Sequence, residues 1–71
     1  MFGSKVQAMA KIERYTDAFG GISFPMFMLP NMKEWQGEGL VTLEKETARD
    51  EYPNIAKITD KGRALAKKVM W

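Results

Sequence analysis

From Ser4 to Phe19 the chain reads SKVQAMAKIERYTDAF, and its apolar positions recur at helical spacing. Ala8, Ile12, Tyr15 and Phe19 follow one another three or four residues apart, with Met9 beside them, which predicts one apolar stripe of an amphipathic helix. Lys5, Lys11, Arg14 and Asp17 fall on the other side. Ser4 is suited to cap the first turn, and Gly20-Gly21 to end the helix, because glycine takes the left-handed conformation a C-cap often needs.

The next stretch, ISFPMFMLPNMKEWQGEG, predicts two short helices. Ser23 caps the first, with Pro25 in its opening turn, where a missing N–H costs little, and Pro30 stops it at Leu29. Asn31 followed three residues later by Glu34 resembles a capping box and opens a second helix over Met32 to Gln36. Gly37 and Gly39 close it. The tight Pro-Asn turn between the two gives helix-turn-helix spacing; a single helix kinked at Pro30 is the alternative.

Beyond Gly39 the period changes. Leu40 to Thr47 alternates weakly, with Val41 and Leu43 on one face and Thr42, Glu44 and Glu46 on the other. Ile55 to Thr59 reads as a returning strand, after a loop of about eight residues that carries Asp50, Pro53 and Asn54. Thr59 or Asp60 then caps a last helix running through Val69, in which Leu65 and Val69 sit one turn apart. The expected order is helix, short helix, helix, strand, loop, strand, helix: one α+β domain over residues 1–71.

Composition narrows the chemistry. A chain of 71 residues buries only about 60% of its unfolded surface, so its core is thin. The absence of cysteine excludes disulfides, thiolate metal sites and a cysteine nucleophile. The absence of histidine removes the usual general base and the commonest metal ligand, so an enzyme is not expected. Glu44, Glu46, Asp50 and Glu51 do not have the spacing of a calcium-binding loop. No cofactor, metal or small-molecule substrate is implied.

Eleven basic residues against nine acidic ones give a net charge of +2 and a pI near 9.0, compatible with nucleic acid. The charge is polarised. Lys57, Lys61, Arg63, Lys67 and Lys68 face Asp60 alone, whereas four acids between Glu44 and Glu51 outnumber Lys45 and Arg49. No apolar run approaches the roughly 20 residues that span a bilayer, and MFGSK lacks the pattern of a secretory signal. A soluble, cytoplasmic protein is the expectation.

Two segments, MKEWQGEGLVTLE and IAKITDKGRALAKK, resemble a winged helix-turn-helix domain of the bacterial and phage transcription-regulator type. Glu38-Gly39-Leu40-Val41 is similar to that family's step from recognition helix to first wing strand. Ile58 to Leu65, ITDKGRAL, is similar to its step from second wing strand to last helix. The resemblance covers residues 32–69 and implies a small DNA-binding regulator with double-stranded DNA as partner. It would bring Asn31, Lys33 and Gln36 to the major groove, where Asn and Gln suit adenine and Lys suits guanine. Lys45 and Arg49 would follow from the wing. Lys61 and Arg63 would hold phosphates at the base of the last helix. Each has a plain alternative: Asn31 as a cap, the others as solvated charges, and Lys67 and Lys68 as cations favoured at a helix C-terminus.

One further segment stands out. Phe24, Met26, Phe27, Met28, Leu29, Met32 and Trp35 put seven large apolar side chains into twelve positions, more than two short helices can all turn inward. Phe24, Phe27, Met28 and Trp35, together with the C-terminal Trp71, are candidates for an interface with a protein partner or a second copy. A protein-interaction module that uses this patch without reading DNA is the second functional expectation.

Overall fold

Helix α1 spans Lys5–Phe19 in the computed structural model, which describes residues 4–68. Its start is a full capping box: the Ser4 hydroxyl accepts the Gln7 N–H, and the Gln7 side-chain oxygen accepts the Ser4 N–H, both at 3.2 Å. Gly20 ends it with φ 85°, its N–H donating to the Thr16 carbonyl. Ala8, Met9 and Ile12 are fully buried.

The expected stripe breaks after Ile12. Tyr15 is 37% and Phe19 79% exposed, and their rings lie against each other with centroids 5.7 Å apart. Thr16 takes the inward position instead. Its hydroxyl donates to the Ile12 carbonyl at 2.7 Å and accepts the backbone N–H of Ile58 at 3.1 Å. A buried stripe drifts around a helix of 3.6 residues per turn, and here the drift brings position 16, not 15 or 19, against the sheet.

The chain turns through strand β1, Ile22–Ser23, which the sequence reading did not anticipate. Ser23 therefore pairs in a sheet and caps no helix. A 3₁₀ turn, Met26–Met28, leads directly into helix α2, Leu29–Gly37. Pro30 sits in the first turn of α2, where its missing N–H has no carbonyl to meet, so it opens the helix instead of stopping one. Asn31 lies inside the helix and is not its cap, and the two-helix turn expected at Pro30-Asn31 is absent; the single-helix alternative is the closer one. Leu29 and Met32 face the core.

Strands β2, Val41–Glu44, and β3, Ile55–Ile58, form the expected hairpin, and with β1 make a three-stranded antiparallel sheet in the order β1-β3-β2. Val41 pairs with Ile58 and Leu43 with Ala56 across it. Both strands stop short of their expected ends. The Asn54 side chain takes the Glu46 N–H at 2.8 Å and Asp50 takes the Thr47 N–H at 2.9 Å, which draws that backbone out of the ladder.

Thr59 caps helix α3, Asp60–Ala66, by accepting the Gly62 N–H at 3.0 Å. Its hydroxyl proton points between the carbonyls of Gly39 and Leu40, at 2.6 and 2.9 Å, and so fastens α3 to the turn that follows α2. Gly62 is needed for this crossing, since a Cβ there would overlap the Leu40 carbonyl oxygen and come within 2.6 Å of Ile58 Cδ1. Leu65 packs partly against the core, while Val69 lies outside the described residues. α1 packs on α3 and β3, α2 on β2, and Met9, Ile12, Met32 and Val41 are fully enclosed between them. No helix among the described residues is long and apolar enough to cross a membrane.

Candidate nucleic-acid interface

With Leu29 and Met32 turned inward, α2 leaves Asn31, Lys33 and Gln36 exposed, with Asn31 and Lys33 toward opposite sides of a helix of 3.6 residues per turn. None of the three makes a side-chain hydrogen bond or ion pair among the described residues, so all three functional groups face solvent. Trp35 is half-buried against the core. The three expected readers thus share one helix and stand free of it.

The hairpin loop is built from inside. The Asp50 carboxylate accepts the Thr47 N–H at 2.9 Å and a proton of the Asn54 amide at 3.1 Å. Those bonds, the Thr47 backbone one foremost, hold the Asp50 carboxyl below its ordinary range. The Asn54 backbone N–H meets the Glu44 carbonyl at 3.0 Å, which closes the base. Lys45 and Arg49 are exposed on this loop and form no ion pair among the described residues.

The two candidates on α3 part company. Lys61 is exposed and unpaired among the described residues. Arg63 turns back onto α1, with Nη2 2.6 Å from Asp17 Oδ1, and Nη1 3.1 Å from Asp17 Oδ2 and 3.3 Å from Glu13 Oε2. The Arg63 hydrogen bonds hold the Asp17 carboxyl below its ordinary range, and Asp17 in turn raises the guanidinium. Arg63 is thus engaged by two carboxylates of α1, whereas Lys61 carries no such pair among the described residues.

Acids outnumber bases between Lys33 and Glu51, six to three. Three of the six are occupied: Glu38 pairs with Lys5 at 2.8 Å, Glu44 with Lys57 at 3.0 Å, and Asp50 faces into its loop. Lys57 stands opposite Thr42, so its bridge to Glu44 is the diagonal contact of an antiparallel pair.

The apolar segment divides. Phe24 and Met28 are buried and help form the core, whereas Phe27 is 73% exposed, and so is Met26 at 65%. Met26 was not singled out as exposed in the sequence, although a helical wheel phased on Met28 and Met32 would have turned it outward. Trp71 lies outside the described residues. No group of three or more acids that could hold a metal occurs among the described residues.

The fold is a small α+β domain in which three helices flank a three-stranded antiparallel sheet. Comparison with protein-family models, with curated proteins and with solved structures finds no match for the chain.

Proposed function

We propose that the protein is a small DNA-binding regulator of the winged helix-turn-helix kind, reduced by one helix. In this reading α2 enters the major groove with Asn31, Lys33 and Gln36, the β2–β3 loop follows with Lys45 and Arg49, and Lys61 meets a phosphate. The observation that carries it is that Asn31, Lys33 and Gln36, side chains able to contact base edges, are each exposed and unpartnered among the described residues on the helix directly before a hairpin. Arg63 has no part in it, because Asp17 and Glu13 hold it. The 3₁₀ turn Met26–Met28 stands where the family has a full helix.

Four cations, Lys33, Lys45, Arg49 and Lys61, make a short electrostatic footprint, and Glu34, Glu46 and Glu51 offset part of it. Binding is accordingly weak and steeply salt-dependent. Titration of a labelled random-sequence duplex at roughly 50 and 200 mM salt tests this: affinity should drop by orders of magnitude between the two. No binding at the lower salt would refute the reading.

A second reading, a protein-interaction module, is favoured by one specific observation. Met26 and Phe27 expose 65% and 73% of their surface side by side. A partner covering them would bind with little dependence on salt, and Phe27→Ser would abolish that binding.

A further inference from the structure

A groove of about 380 Å³ runs between the start of α1, the turn after α2 and the outer face of α3. Its floor is Leu40, Ala64 and Leu65, and its rim holds Lys5, Lys61, Lys68 and Glu38. The volume falls at the lower end of the roughly 300–1,000 Å³ typical of small-molecule sites. Lys61, Ala64 and Leu65 follow the i, i+3, i+4 spacing of one face of α3, and Lys68 follows in the turn after it, so two cations flank two apolar side chains. Across the groove, Lys5 is neutralised by Glu38 at 2.8 Å. Lys61 and Lys68 form no ion pair among the described residues.

We propose that this groove binds a small anionic amphiphile: one carboxylate-like head on a short hydrocarbon body. The head lies between the Lys61 and Lys68 ammonium groups, and the hydrocarbon covers Leu40, Ala64 and Leu65. Charge complementarity selects an anion, since Glu38, the only acid on the rim among the described residues, is already paired. The apolar floor selects against a bare phosphate or a nucleic-acid backbone, which would leave that floor wet. The concave shape suits a free molecule better than a flat lipid surface. This inference shares Lys61 with the DNA reading, where that side chain meets a phosphate, but it does not rest on that reading and its test contains no nucleic acid.

The test is an amide NMR titration of the whole chain with octanoate, octylammonium and acetate at one ionic strength. Octanoate should cause saturable shifts centred on Leu40, Lys61, Leu65 and Lys68. Octylammonium and acetate should each bind about tenfold more weakly or worse, the equivalent of losing one good contact. The double variant Lys61→Gln, Lys68→Gln should lose the octanoate shifts and keep a native spectrum, because both side chains are exposed. Equal response to octylammonium, shifts centred instead on Phe19 or Phe27, or an equal response to acetate would each overturn the proposal. So would movement of the same resonances on simple dilution, which would assign the groove to a second copy.

Discussion

Arg63 and Asp17 are joined by two bonds, Nη2 to Oδ1 at 2.6 Å and Nη1 to Oδ2 at 3.1 Å, and they tie the start of α3 to the last turn of α1. The pair sets a pH dependence whose sign is fixed. Arg63 holds the folded-state pKa of Asp17 below the ordinary 3.8, so the pair's contribution is complete above that value and is lost as pH falls through the lower folded value. Asp17→Asn should therefore be less stable than the parent between about pH 5 and 8, and the gap should close below about pH 4. Urea midpoints measured across that range check it. A gap that persists undiminished at the lowest pH would mean that the charge of Asp17 is irrelevant.

Thr16 answers a need that β1 leaves unmet. β1 pairs only with Ile55 and Ala56, so the Ile58 N–H on that side of β3 has no strand to meet, and the Thr16 hydroxyl supplies the acceptor. Thr16→Val keeps the shape and removes the acceptor. It should cost about 1–3 kcal/mol, as expected for a part-buried donor left unsatisfied. Thr16→Ser should recover most of that loss. Equal stability of the valine and serine variants in urea would show that the bond contributes nothing.

Gly62 and Gly37 make an informative pair because both are helical. A Cβ on Gly62 would overlap the Leu40 carbonyl oxygen, whereas one on Gly37 would meet nothing within 4 Å. Gly62→Ala should thus destabilise by about 1–3 kcal/mol or more through overpacking. Gly37→Ala should be neutral or stabilise by about 0.4–1 kcal/mol. Thermal or urea unfolding of the two variants checks the contrast, and a benign Gly62→Ala would mean that α3 can lift away from Leu40.

The parts of the fold legible in the sequence are those fixed by neighbours along the chain. Ser4 and Gln7 cap α1 within one turn, Thr59 caps α3 three residues from its donor, and Val41 to Glu44 alternates as a strand. What the sequence hid depends on distant partners or on competing local rules. Asn31 and Glu34 have capping-box spacing, yet the 3₁₀ turn at Met26–Met28 starts the helix earlier and places both inside it. Ile22 and Ser23 carry no strand signal of their own and become one by pairing with Ala56 and Ile55. Arg63 reads as a free cation until α1 brings Asp17 and Glu13 beside it, residues 46 and 50 positions away. Of the candidate site, α2 and the loop could be located, and Asn31, Lys33, Gln36, Lys45 and Arg49 are exposed on them. The groove beside Lys61 could not be found this way, because its walls come from three separate elements.

The hairpin loop gives the sharpest test of the DNA reading, because order and charge pull in opposite directions at Asp50. Its carboxylate holds the Thr47 N–H and the Asn54 amide, and so keeps the loop that carries Arg49 in one shape. It is also a negative charge close to where a phosphate would lie. If charge alone decided affinity, Asp50→Ala would tighten DNA binding. If Arg49 works from an ordered wing, the same variant should weaken binding, because ordering the loop then falls to the binding step. We expect weakening, together with faster amide exchange at Thr47. Arg49→Ala should lower the slope of log affinity against log salt by about one unit, the signature of one lost phosphate contact. Tighter binding by Asp50→Ala, with an unchanged slope for Arg49→Ala, would make the loop a bystander and move attention to Met26 and Phe27.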